Sequence, residues 1–352
     1  MCGALELKNN VFIYLEKDST LLGSVDHNDY GNGGWGEALL TGYNAKSIGI
    51  IGEGLIDGAD CINPNGEEGF RGPHAVFLTQ CNNITIKGIT ISNAGNYAIL
   101  CRNVTGAIIE NVNIRGGHDG IHAQSSDGFY IKGCDLRTGD DSVAGCDNKN
   151  FEFLDCQFNS SCNGFRFGGE KVTVKKCRFW GPGEYVHKIS GRRNMGTAFV
   201  HFSPTDRNPK ILSDNWLVQD ITLENVDTLY EYNYVDGLWQ TGQPVKNIKF
   251  ENVKAEGLTA PFMVIGDDNK QFNLTLNNVE LHLHKDNQNQ ELLNIRGFNS
   301  IKLNDVTLEN DGNMPVAIIG EGKKVIISNV NFNPETNENP FFINDVDKIE
   351  KN

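Results

Sequence analysis

One eight-residue pattern constrains this chain more than anything else in it: apolar, any, apolar, any, a small or polar residue, then Cys, Val or Ile, any, apolar. It reads ITIKGITI from Ile84, AIIENVNI from Ala107, FYIKGCDL from Phe129, FEFLDCQF from Phe151 and VTVKKCRF from Val172. It returns as ITLENVDT from Ile221, IKFENVKA from Ile248, LTLNNVEL from Leu274, IKLNDVTL from Ile301 and VIISNVNF from Val325. Successive starts lie 21 to 27 residues apart, except for a gap of 49 between Val172 and Ile221 that reads as about two coils with a long loop. Alternation with period two marks strands with one buried face. Self-similarity at such a period marks a solenoid. Coils of this length, with strands and no helical stretch, predict an all-β fold: a single-domain right-handed parallel β-helix over residues 1–352, with a cleft-wall loop near 180–220. Adjacent coils then lie about 4.8 Å apart, so residues one period apart touch.

Composition agrees with this reading. The 39 glycines against 10 prolines, with many asparagines, suit tight turns that need positive φ. A net charge of −14 argues against a nucleic-acid or anionic-membrane partner. It does not argue against an acidic polysaccharide, whose recognition needs only a few local cations. No transmembrane run and no signal peptide stands out, and a monomer is expected. Cys134, Cys156 and Cys177 share one repeat position and should stack inward as free thiols. The other six cysteines leave a disulfide open, and the odd total of nine leaves at least one thiol unpaired.

The same period organises the polar residues. Asp119, Asp141 and Asn163 are spaced by 22 residues each, which stacks Asp119, the pair Asp140-Asp141 and Asn163 on successive rungs of one surface. One further period leads to Glu184-Tyr185-Val186-His187-Lys188. A lone Asp in a turn needs no functional account. Three carboxylates on two adjacent rungs repel one another and should titrate as a coupled group with at least one raised pKa. A general acid beside a general base requires that arrangement. Arg166 follows the Asn163 rung and should face the cleft or an acid such as Glu170, because an unpaired buried cation is costly. Trp35, Trp180 and Trp239 lie in Gly-rich stretches, where they either stack on sugar faces or pack. Residues 203–214 interrupt the repeat and should wall the cleft.

At these motifs the chain resembles glycoside hydrolase family 28, the polygalacturonase and rhamnogalacturonase group. The likeness runs from about Leu5 to beyond Phe202. It includes Ile51-Gly52-Glu53-Gly54 with the following Leu55-Ile56-Asp57-Gly58, and Gly117-His118-Asp119 where the family has Asn-Thr-Asp. Gly139-Asp140-Asp141 keeps the family's Gly-Asp-Asp intact. The resemblance implies inverting hydrolysis of a pectin-like, uronate-containing glycan of the cell wall, with Asp140 as general acid and Asp119 and Asp141 as the bases that activate water. It implies no metal and no other cofactor, and a secreted or periplasmic location. Asn163 stands where the family has His, and Val186-His187-Lys188 stands where it has Arg-Ile-Lys. The substrate-binding set implied is then Asn163, Lys188, His187, His118, Arg166 and Arg192, with Arg192 or Arg193 replacing the missing family Arg. The family's first coil and capping helix are expected to be absent. Two readings from other classes remain open: a Ca²⁺-dependent β-helix polysaccharide lyase, and a non-catalytic carbohydrate-binding solenoid.

Overall fold

A computed structural model of the chain describes residues 1–31, 35–284, 291–311, 316–335 and 340–351. The strands build the right-handed parallel β-helix that the repeat predicts, with each coil giving one strand to each of three parallel sheets. In one coil these are Ile99–Arg102, Thr105–Glu110 and Asn113–Gly116. The next coil repeats them as Ile121–Gln124, Asp127–Lys132 and Asp135–Thr138. Ile99 lies on Ile121, Ala107 on Phe129 and Ile114 on Leu136.

The eight-residue pattern has a direct geometric meaning. Its fifth residue is a single left-handed residue between the second and third sheets: Asn111, Gly133, Asp155 and Lys176 have φ of 53°, 63°, 53° and 53°. Gly, Asn and Asp tolerate that conformation best. Its sixth residue turns inward, so Val112, Cys134, Cys156 and Cys177 are all buried. All nine cysteines are free thiols, so the disulfide left open by the sequence is not formed. Inside the coils the apolar residues stack on their own kind. Phe129 and Phe151 rings lie 4.4 Å apart, and Phe158 and Phe179 rings 4.9 Å apart. Burial of each such ring contributes about 1.5–3 kcal/mol.

Two details of the sequence reading are corrected. Thr173 pairs with Leu217 and Trp216 with Ile248. The unit after Val172 is therefore WLVQDITL from Trp216, one coil of 44 residues later, and the unit assigned at Ile221 is five residues out of register. The misreading has a physical cause. Strand Trp216–Glu224 runs unbroken through the turn at Asp220, itself left-handed at φ 56°, so its second half imitates the start of a unit. The second correction concerns the rung beyond Asn163. It carries Thr197, from strand Met195–His201. Residues 184–188 belong instead to the loop between Arg178–Trp180 and Met195–His201.

Candidate active site

The turn that leads from the third sheet back into the first carries the acids. It is formed by residues 117–120 on one rung, 139–142 on the next and 161–162 on the third. Register fixes their stacking, with Ile121 on Val143 and Val143 on Phe165. The Gly120 N–H donates to the Asp141 carbonyl at 2.9 Å, and the Ser142 N–H to the Asn163 carbonyl at 3.0 Å. The predicted ladder of Asp119, Asp141 and Asn163 is therefore present. One carboxylate oxygen from each of Asp119, Asp140 and Asp141 lies within 4.8 Å of the others.

The three carboxyls sit in different surroundings. Asp140 accepts from Arg71 Nη2 at 3.1 Å, and His187 Nε2 lies 3.7 Å from its Oδ1. Burial presses its pKa upward, but His187, Arg71 and Arg166 outweigh burial and hold it below the usual carboxylate range. Asp141 is fully buried, accepts from Asn163 Nδ2 at 2.8 Å and is paired with the Arg166 Nε. Burial raises its pKa, and the Asp140 charge adds to the effect. Asp119 is lifted well above the ordinary value by burial first and by the Asp140 and Asp141 charges next. Its Oδ2 lies 2.9 Å from His122 Nδ1, while its Oδ1 is buried with no hydrogen-bond partner among the described residues. The other His122 nitrogen, Nε2, is 3.5 Å from Arg207 Nη1. Arginine only donates, so Nε2 is the acceptor and the ring proton sits on Nδ1, aimed at Asp119. Burial and the neighbouring charges thus favour the protonated form at Asp119 over that at Asp140.

A cleft of about 520 Å³ opens over these groups. Asp140, Asp141, Asn163, Arg166, His187 and Arg192 all line it. Asp119 and His118 lie behind its wall. His118 is buried against the Phe70 ring at 5.9 Å, with a pKa pulled down to about 2 by burial and nearby cations. Lys188 also lies off the cleft lining and pairs with Asp60 at 2.6 Å. Arg166 does not pair with Glu170, which lies near Lys149 and Lys171. It takes Asp141 instead and stacks over Phe202 and Trp239, 4.4 and 5.3 Å from their ring centres. Trp239 is thus on the cleft, while Trp180 packs against Arg137 and Arg178 away from it. Of the two candidate replacement arginines, Arg192 reaches the cleft, bonded to the Ser161 carbonyl at 3.1 Å and to Cys162 Sγ at 2.9 Å. Arg193 holds the loop by donating to the Gly183 and Glu184 carbonyls at 3.0 and 2.8 Å. That loop lies directly on the acid turn. A Cβ at Gly139 would come within 2.3 Å of the Val186 carbonyl oxygen, so only glycine fits beside Asp140. Pro204, Asp206 and Arg207 of the predicted wall line the cleft.

Arg71, Arg207 and His122 were not singled out by the sequence reading. Arg71 has a faint signal, a lone charge in Phe70-Arg71-Gly72-Pro73 where the repeat is interrupted. It is 7% exposed and also donates to Glu68 at 2.7 Å and to Asn96 at 3.2 Å. His122 stacks on Tyr97 at 4.7 Å with the rings 6° from parallel.

Comparison with known proteins agrees with this architecture. The family described as right handed beta helix region matches residues 74–195. Over 203 residues the chain is 26% identical to the Probable endopolygalacturonase I of Aspergillus terreus, an alignment covering 53% of this chain and 52% of that protein. The chain thus spans about half the length of this curated relative. Among solved structures, an exopolygalacturonase of Thermotoga maritima superposes with a TM-score of 0.63 at 18% identity, covering 80% of this chain and 77% of that one. A family 28 exopolygalacturonase of Yersinia enterocolitica gives 0.56 at 15% identity, covering 99% and 70%. By its fold the chain is a right-handed parallel β-helix protein, and its sequence is similar over about half its length to that of a polygalacturonase.

Proposed function

We propose that the protein is a polygalacturonase-like glycoside hydrolase that cleaves a pectin-like, uronate-containing glycan. The observation that carries this reading is the carboxylate ladder at the base of a cleft whose lining includes Arg71, Arg166, Arg192 and Arg207. Stacked acids supply proton transfer, and arginines offer forked donors to a sugar carboxylate. Asp140 lines the cleft and is the acid assigned to the glycosidic oxygen. Asp141 lines it too and is the base assigned to the attacking water. Asp119 lies behind both, where burial favours its protonated form, and acid catalysis at this site requires a proton on Asp140 when substrate fills the cleft. A single water bridges two carboxylates whose oxygens are under about 5 Å apart, given hydrogen bonds of about 2.8 Å.

A Ca²⁺-dependent lyase fits the donor set less well. Arg71 and Arg166 already occupy an oxygen of Asp140 and of Asp141, and two guanidinium groups inside the cluster oppose a divalent cation. The resemblance to family 28 supports a single-domain monomer that works in a secreted or periplasmic setting on cell-wall material.

The deciding experiment measures new reducing ends on polygalacturonate, rhamnogalacturonan and neutral glycans, with Asp140→Asn as control. Release from the uronate polymers, lost in Asp140→Asn, is expected. Binding without any release would leave a carbohydrate-binding solenoid, and an unsaturated, ultraviolet-absorbing product abolished by chelator would establish a lyase.

A further inference from the structure

The outward face of the first sheet forms the floor of the cleft, one residue per rung. Register gives its order: Thr41, Phe77, Leu100, His122, Ala144, Arg166, Val200, Glu231, Met263 and Asn294. A glycan crossing these rungs runs along the helix axis. The floor changes character at the catalytic turn. Phe77, Leu100, His122 and Ala144 are 4%, 0%, 2% and 0% exposed. From Arg166 to Asn294 these residues are half-buried, and Arg166, Val200 and Glu231 line the cleft.

The covered half is closed by side chains from outside the coils. Phe77, Leu100, Tyr97 and Ala38 form a second apolar cluster, separate from the main core. Trp35 packs edge-on to Tyr97 at 5.5 Å and His74 at 5.3 Å, and Arg102 lies over Trp35 at 4.8 Å. Arg207 comes from the other wall, a 3₁₀ turn at Thr205–Arg207. Its Nη1 lies 3.3 Å from Gln124 Oε1 as well as 3.5 Å from His122 Nε2, both on the floor strand Ile121–Gln124, so this wall reaches down onto the His122 rung, whose ring stacks on Tyr97.

We propose that the cleft is blind on the early-coil side of Asp140 and Asp141, so that the site accepts a chain end and acts as an exo-hydrolase rather than at internal bonds. The inference rests on the hydrolase reading above. A terminal sugar abuts Tyr97, Arg71 and Arg207, and the rest of the glycan leaves over Arg166, Val200 and Glu231. From Ala144 to Glu231 is three steps of about 4.8 Å, room for a short run of sugars. Arg207 is then the specificity-determining closure, because it pins the 203–214 wall onto the floor at the His122 rung.

Two measurements test this. In the first, wild-type protein acts on long polygalacturonate while reducing ends and viscosity are followed together. One short product from the first turnovers, with viscosity nearly unchanged as ends accumulate, is expected; an early ladder of mixed oligomers with collapsing viscosity would overturn the proposal. Arg207→Ala combined with Trp35→Ala should shift the pattern toward mixed oligomers. The second measurement needs no turnover. The Asp140→Asn protein is saturated with polygalacturonate at constant mass and two mean lengths. Halving the chain length should double the protein bound, because ends double. Saturation that follows mass alone would refute chain-end binding and leave the hydrolase reading intact, whereas no binding at either length would remove the hydrolase reading and this inference with it.

Discussion

Replacing Asp119 by Asn should make the protein more stable and far less active, with a pH dependence that identifies the cause. The fold holds Asp119 with almost no exposure, one oxygen on His122 and the other without a partner. Burial and the neighbouring Asp140 and Asp141 charges raise its pKa. A carboxyl whose pKa is raised by folding favours the folded state at low pH, and that contribution fades as pH rises from the unfolded value near 3.8 through the folded one. Each unit of elevation costs the folded protein about 1.4 kcal/mol once both states are ionised. With an unfolding entropy of about 2.1 cal/mol/K per residue over 352 residues, each unit corresponds to about 2 °C in Tm. Asn keeps an oxygen to accept from His122 Nδ1 and carries no charge. The Tm difference, Asp119→Asn minus wild type, should be near zero at pH 4, grow with pH and level off. Turnover should fall by roughly 10²–10⁴, the usual worth of a proton-transfer group. Thermal melts at pH 4 to 8 give the first quantity and reducing-end assays the second. A Tm difference independent of pH, or a variant less stable than wild type at pH 8, would refute the buried-anion argument.

Three further outcomes are expected. Arg166→Met should lower stability by about 3–5 kcal/mol, because it strands the buried Asp141 carboxylate, and adding Asp141→Asn should restore most of the loss in a thermal melt. Arg192→Leu should raise KM for a uronate glycan more than Lys188→Met does, since Arg192 lines the cleft while Lys188 is held by Asp60; the reverse order in steady-state kinetics would return the carboxylate contact to Lys188. The first product should have inverted anomeric configuration by proton NMR. That test is sharp because the acid oxygens lie within 4.8 Å of one another, closer than the gap of roughly 6.5–9.5 Å usual between inverting carboxyls, and a retained anomer would replace the single displacement with a covalent intermediate.

The coils were legible in the sequence because each rung repeats the same local demands. A left-handed residue must precede an inward one, so Asn111-Val112, Gly133-Cys134 and Asp155-Cys156 all announce the same turn. The acid ladder was legible for the same reason, since a shared period becomes a shared position. The register at Ile221 was not. There the backbone turns left-handed twice within one strand-to-strand stretch, at Asp220 and again at Asn225, and Asn225 followed by the buried Val226 imitates the corner of a unit. The placement of Glu184 through Lys188 failed for a related reason. A period counts rungs only while the chain stays in the coil, and residues 181–194 leave it.

What the period could not give is the electrostatics of the site. Arg71 meets Asp140 across 69 residues, and Arg207 meets His122 across 85; both contacts are made by segments that interrupt the repeat. The acids come from the repeat itself, whereas three of the four arginines lining the cleft come from its interruptions: Arg71 from the loop before His74–Thr79, Arg192 from residues 181–194 and Arg207 from the 203–214 wall. The fourth, Arg166, stands on the floor. This division sets four arginines among the six acidic residues that line the cleft of a chain of net charge −14. It also explains why the carboxyls differ although the fold makes their backbones nearly equivalent. Asp140 faces two groups from the inserted segments, the Arg71 guanidinium and the His187 ring, and favours ionisation, while Asp119, one rung away and screened from the cleft, favours its proton. Changes in the interrupting segments should therefore alter specificity and the order of proton loss while leaving the ladder standing, whereas changes in the turn residues, such as Gly139, should disturb the ladder itself.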